Sequence, residues 1–351
     1  MQLQLFLACV LLALPGLPQA PVAAPAAAPA TTVAAYPPGI PKELYEVDKV
    51  VDGDTIYVVV RDKVTKLRLL CVDTEEKLSV NAGSASKPGT VFGEECAKWA
   101  QDFFAAQARD GKKPRVGLYF PAGREQLDSY GRTLCHVILQ DGRDFNLLLV
   151  EEGKSPYFNK YGNSPVAHEL FAAAQERARA AQKGIWNPAT NVPKTEGAPS
   201  ARRPYELLIP WWNARAAAID DFRERERKDP RGVADAENPA SLRAAAEQGG
   251  EVDVFGTVDK TFDEENGDWT LLLRCEDKDG AVRVRIGKEQ RALFSKLDLA
   301  HLNAEDRQNY LWARGKLGKG ARGLELAIHD AAQLRIAKPE PVLPKPVPAG
   351  H

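Results

Sequence analysis

At 351 residues the chain is long enough for about two domains. Lys and Arg number 47 against 48 Asp and Glu, a net charge of −1. That balance excludes a general basic funnel for a polyanion and leaves any nucleic-acid affinity to local arginines and a bound cation.

The segment Leu3 to Leu17 is almost wholly apolar and runs into Pro18-Gln19-Ala20 and a Pro/Ala-rich stretch. The pattern predicts an export signal over residues 1–24, although no Lys or Arg precedes it and Pro21 follows Ala20 directly. A run this short, broken by Pro15, suits a membrane span poorly. The expected destination is secreted or periplasmic, with a membrane tether through the N-terminus as the alternative and no stable insertion after processing. Cys9 would leave with the signal. Cys71, Cys96, Cys135 and Cys275 show no CxxC spacing, which argues against zinc. Export would permit a disulfide among the first three, but their apolar neighbours favour buried free thiols.

Residues 25–42 form a Pro/Ala-rich linker. Strand-like runs follow at Tyr45–Val51, Thr55–Val60 and Lys66–Val72, broken by Asp-Gly and Arg-Asp turn signals. Gly93–Arg109 has helical spacing, with Cys96, Trp99, Ala100, Phe103 and Phe104 on one face. Two more strands are expected near Arg115–Phe120 and Thr133–Leu139, then helices over Asp144–Glu152 and Ser164–Gln182. Five strands with a helix after the third is the order of a closed Greek-key OB barrel. This first unit spans 43–190.

A linker and an amphipathic helix occupy 191–248, the helix over Tyr205–Lys228 with Trp211 and Trp212 near its start. Docking of that helix on a membrane or partner is one reading of the two tryptophans. Strand patterns return over 249–337 with EVDVFGTV, WTLLLRCE, AVRVRI, YLWARGKL and LELAIH, and a helical Lys288–Leu299 falls after the third. That order predicts a second OB-like barrel. Its Trp269, Trp312, Arg274, Arg283, Arg285 and Arg314 could bind nucleic-acid strands, against the plainer reading of a spacer or protein-interaction module. The Pro-rich tail, 338–351, is expected to be disordered. The fold class is mainly β with helices (α+β).

Asp52-Gly53-Asp54-Thr55 alone reads as a hairpin turn. Its interest comes from Asp73, beyond the strand that carries Arg68. An arginine facing a small barrel mouth is costly unless it meets an anion; the plainer reading puts Arg68 on the solvent face. Glu76 lies three residues after Asp73, placed to take a proton from a water or to be an ordinary loop acid. Asp128-Ser129-Tyr130-Gly131-Arg132 brings a second arginine beside a tight turn.

Taken in order, Val51-Asp-Gly-Asp54-Thr, Arg68, Asp73-Thr-Glu-Glu76, Asp128-Ser-Tyr-Gly-Arg132 and Gly184-Ile-Trp186 resemble the staphylococcal nuclease (thermonuclease) domain in motif order and spacing. The resemblance implies that Asp54, Asp73 and the carbonyl of Thr74 bind Ca²⁺, a hard ion tolerant of irregular oxygen shells. It implies that Arg68 grips the scissile phosphate, Glu76 is the base and Arg132 is a second phosphate clamp. Tyr130 would bond a terminal phosphate. Tyr157 and Tyr161, with Phe158, are candidates for stacking on a base, or for packing at a helix start. Two departures stand out. Glu75 replaces the family's proline, and so could compete for metal or role; Ser129 replaces its usual lysine. The implied function is an exported, calcium-dependent nuclease for DNA and RNA, preferably single-stranded, without a small-molecule cofactor. The alternative is a nucleic-acid-binding or scaffold protein that has lost activity.

Overall fold

The computed structural model of the protein describes residues 36–78, 87–128, 130–192, 202–277, 280–295 and 310–337. The expected signal, nearly all of the following linker, the C-terminal tail, Ser129 and the end of the helix expected at Lys288–Leu299 lie outside the described residues.

The first unit contains β1 (Tyr45–Val50), β2 (Thr55–Val60), β3 (Lys63–Leu69), short β4 (Glu76–Lys77) and β5 (Gly89–Thr90), and helix α1 (Val91–Ala105). β6 (Arg115–Tyr119), β7 (Gln126–Leu127), β8 (Thr133–Ile138), α2 (Phe145–Glu151) and α3 (His168–Ala180) follow. Five strands join in the order β3-β2-β1-β6-β8, and β3 pairs with β8 in parallel to close the barrel. Alternation fills its interior with Ile56 and Val58 from β2, Leu67 and Leu69 from β3, Val116 from β6 and Val137 from β8. Cys96, Ala100 and Phe104, one helical turn apart, are buried on α1. β3 ends before the expected Val72 because Cys71 takes a φ of 65°, a bend that turns the chain out of the sheet and toward Asp73. α3 starts at His168, four residues later than expected, because Ser164 Oγ accepts from the Ala167 amide and holds a turn there. The four described cysteines are free thiols.

Helix α4 (Tyr205–Lys228) leads to β9 (Val233–Asp235), α5 (Pro239–Gln248), β10 (Glu251–Asp263), β11 (Trp269–Leu273) and β12 (Val282–Ile286). β13 (Tyr310–Lys316), β14 (Gly318–Gly320), β15 (Gly323–Ile328) and β16 (Leu334–Ile336) follow within the described residues. β10, β11 and β12 form an antiparallel meander, β12 pairs with β15 in parallel and β10 with β13 antiparallel. This is the pairing scheme of the first barrel repeated. Among the described residues no ladder joins β13 to β15, so the second sheet stays open where the first closes.

Trp211 and Trp212 are not a membrane-docking face. Both are buried, in a cluster with Phe92, Cys96, Ile185, Tyr205 and Leu208. The far half of α4 packs Ile219 and Phe222 on Phe255, Tyr310 and Trp312 of the second sheet. Trp312 is therefore covered, and Arg285 and Arg314 are paired with Asp268, Glu325 and Glu251. The expected aromatic and basic strand-binding face is largely spent on internal contacts.

Candidate active site

The site forms where β2 and β3 leave the barrel. Asp54 enters β2 from a turn in which its amide donates to Asp52 Oδ1 at 3.1 Å. The turn is pressed so close that a Cβ on Gly53 would lie 2.5 Å from Thr74 Cγ2 and 2.9 Å from Cys96 Sγ. Asp54 Oδ2 in return accepts from the amide and the hydroxyl of Thr74, at 2.9 and 3.2 Å. The Asp73 amide donates to Ser155 Oγ at 2.8 Å. Asp54, Asp73 and Thr74 are all buried.

Register decides the orientation of Arg68. It stands opposite Thr55 in the β2–β3 ladder, one residue from Asp54. Its guanidinium bridges the two aspartates, Nη1 to Asp54 Oδ2 and Nη2 to Asp73 Oδ1, both at 2.8 Å. The arginine thus faces the carboxylates and not solvent. Burial opposes its charge, but Asp54 and Asp73 outweigh it and hold the guanidinium protonated. The Nη1 contact is close yet poorly aligned, leaving that buried donor without a proper hydrogen bond.

Glu76 sits on β4, paired with Gly89 of β5. The start of α1 touches it so closely that a Cβ on Gly93 would lie 2.0 Å from the Glu76 carbonyl oxygen. Lys87 Nζ links Glu76 Oε1, at 2.6 Å, to Asp73 Oδ1, at 2.9 Å. The Glu75 carboxylate, expected as a rival for the ion or the base role, is engaged by other donors. It is buried and accepts from Thr90 Oγ1 at 2.5 Å, Asn191 Nδ2 at 2.7 Å and Tyr205 OH at 3.1 Å. Arg203 completes the surroundings of Asp73, donating from Nη2 to Oδ2 and from Nη1 to the Asp73 carbonyl at 3.1 Å. Burial pushes the Asp73 carboxyl up, but Arg203, Lys87 and Arg68 overcome it and hold the group far below the usual carboxylate range. Asp52 has no such company: burial, then Asp54, push it up to about 7.

Arg132 comes from the turn before β8. Asp128 Oδ1 accepts from the amides of Tyr130 and Arg132, both at 2.9 Å, and Oδ2 accepts from Arg132 Nε at 2.7 Å. Thr133 stands beside Leu67 in the parallel β3–β8 pair, so Arg132 immediately precedes the strand next to the one that carries Arg68. Tyr130 is 84% exposed, with the Arg132 guanidinium 5.4 Å from its ring centre. Tyr161 is also exposed. Tyr157 departs from its expected stacking role: it is 4% exposed, stacks on Phe171 and accepts from the Ser164 amide at 2.9 Å. It braces the start of α3.

Among the described residues no group of three or more His, Cys, Asp and Glu is arranged to hold a metal. The ligand set that the resemblance implies, Asp54, Asp73 and the Thr74 carbonyl, has fewer side chains than that, and donors of these types fit a hard divalent cation. Asp54 and Asp73 converge on one guanidinium, and Arg68 Nη1 is left badly bonded. Lys87 and Arg203 had no motif to announce them. Lys87 carries only a lone positive charge, and Arg203 falls beyond the resembling region.

Residues 66–188 match the family described as staphylococcal nuclease homologue. Endonuclease YhcR of Bacillus subtilis is 37% identical over 145 residues, 40% of this chain but 11% of that protein. An uncharacterized endonuclease of Escherichia coli O157:H7 is 31% identical, covering 41% of this chain and 78% of its own length. The thermonuclease of Staphylococcus intermedius is 32% identical over 149 residues, 41% of this chain and 76% of its own. With its closed barrel, its motif order and these relatives, the chain belongs to the staphylococcal nuclease homologue family.

Proposed function

We propose that the protein is an exported, calcium-dependent endonuclease that hydrolyses phosphodiester bonds of DNA and RNA with little sequence preference. The observation that carries this reading is Arg68 set between Asp54 and Asp73, with Glu76 tied to the same Asp73 through Lys87. Asp54, Asp73 and the Thr74 carbonyl would hold the calcium, which supplies charge neutralisation at the phosphate and polarises a water. Arg68, once released from the two carboxylates, donates to the phosphate oxygens. Arg132 donates from the neighbouring strand to the same group or to the leaving oxygen, since the charge developing in the transition state spreads over several oxygens. Glu76 accepts the proton of the attacking water. The exposed rings of Tyr130 and Tyr161 support a preference for single strands, whose bases are free to stack. Export rests on the apolar segment Leu3–Leu17.

One observation favours a second reading, a protein that binds nucleic acid without cutting it. Asp73 is already met by three side-chain cations. Digestion of single-stranded DNA and RNA by the purified chain decides between them. Activity abolished by a chelator and restored by calcium is expected; binding without cleavage at any calcium concentration would establish the second reading.

A further inference from the structure

We propose that Arg203 is a positioning residue for Asp73, so that the nuclease site is completed by a part of the chain outside the family domain. This inference rests on the function proposed above. The family match ends at residue 188. Arg203 nevertheless reaches back to Asp73 across 130 positions. It is 4% exposed, and a guanidinium taken so far from water must be matched by good partners. Its two terminal nitrogens donate to the carboxylate and the carbonyl of one residue, Asp73. The guanidinium carbon lies 5.3 Å from the ring centre of Trp212 and 5.6 Å from that of Tyr205. Two residues on, Tyr205 OH bonds Glu75, so positions 203 and 205 meet 73 and 75 in matched spacing.

The division of labour at Asp73 gives the consequence. Arg203 takes Oδ2, while Arg68 and Lys87 share Oδ1. A fork that grips both Oδ2 and the carbonyl fixes the carboxylate plane and aims Oδ1 into the barrel mouth. Partners of this kind, which orient a ligating carboxylate, change metal affinity or activity by about 10- to 100-fold when removed. Arg203 is wedged beside the rings that seat α4. Lysine cannot reproduce its grip, because an ammonium is a point charge without a planar fork.

The test uses the full chain. Calorimetric titration of calcium into the substrate-free protein is read beside kcat and KM on a single-stranded oligonucleotide, for wild type, Arg203→Lys, Arg203→Gln and Leu208→Ala. Both Arg203 variants are expected to weaken calcium binding and to lower kcat by about 10- to 100-fold, with KM changing less. Leu208→Ala thins the apolar cluster that seats α4 but leaves the donors to Asp73 in place, and keeps calcium affinity and kcat near wild type. Calcium binding in Arg203→Lys and Arg203→Gln that equals or exceeds wild type, with kcat undiminished, overturns the inference; tighter binding would make Arg203 a blocker. A proportional loss in Leu208→Ala reduces Arg203 to packing and overturns it too. A wild type that neither binds calcium nor cuts overturns the proposed function itself, which separates the two failures.

Discussion

Tyr205 donates its hydroxyl to Glu75 Oε1 at 3.1 Å, tying the first turn of α4 to the loop that carries the candidate base. Glu75 stands where the family has proline, and the structure explains the exchange. Three donors, from Thr90, Asn191 and Tyr205, converge on its carboxylate. An acid is needed there because the extension beyond the family domain places a tyrosine against it.

Restoring the family residue with Glu75→Pro therefore destabilises this protein. It strands three donors, two of them buried, and bonds to a charged acceptor contribute roughly 1.5–3 kcal/mol each before relaxation, so a net loss of about 2–4 kcal/mol is expected. A denaturant midpoint equal to wild type would show that the three contacts are dispensable.

Glu76→Gln is expected to behave in the opposite way. The side chain is partly exposed, and its partner is the Lys87 ammonium, which Asp73 also holds. Turnover falls by about 10²- to 10⁴-fold, the usual range for a general base, while the unfolding midpoint barely moves. Full turnover in this variant would remove Glu76 from the base role.

For Arg132→Ala the predicted change is a rate loss on the order of 10³-fold with little loss of stability. Its pair with Asp128 lies near the surface, where such contacts are worth at most about 1 kcal/mol. Single-turnover rates at saturating DNA measure it; a variant that only raises KM would make Arg132 a binding contact.

Stability should also depend on pH through His136. The ring is fully buried; burial opposes its charge, but Asp144 Oδ2 at 3.0 Å from Nδ1 and Cys71 outweigh burial and push it up to about 10. A folded-state value above the unfolded one, near 6.5, means that the folded state binds the proton more tightly. The contribution is complete below about pH 6.5 and is lost as pH rises toward about 10. Thermal midpoints should fall across that window, and Asp144→Asn, which can still cap α2, should flatten the slope. Parallel profiles for wild type and variant would assign the pH dependence elsewhere.

Sequence patterns carried the first barrel well because its code is local. Alternation in β2, the i to i+4 spacing of Cys96, Ala100 and Phe104, and the turn residues around Asp52 and Asp128 each speak for themselves. The orientation of Arg68 was not local: only pairing with Thr55 turns it toward Asp54. Tyr157 was misleading for the converse reason, since an aromatic near a site and an aromatic bracing a helix look alike until burial separates them. Lys87 and Arg203 reach Asp73 from 14 and 130 residues away, and no periodicity records that distance. The glutamate at 75 was the one visible hint that something beyond the family domain had to answer it.

Helix α4 runs 24 residues with Pro210 near its start, and it enters two cores, through Trp212 toward one end and Phe222 toward the other. At 1.5 Å per residue it is a rod of roughly 36 Å. A rod gripped at both ends has no slack with which to absorb a pull. A pull on the second sheet would run along that rod toward Pro210 and, beyond it, the two side chains that clasp Asp73 and Glu75.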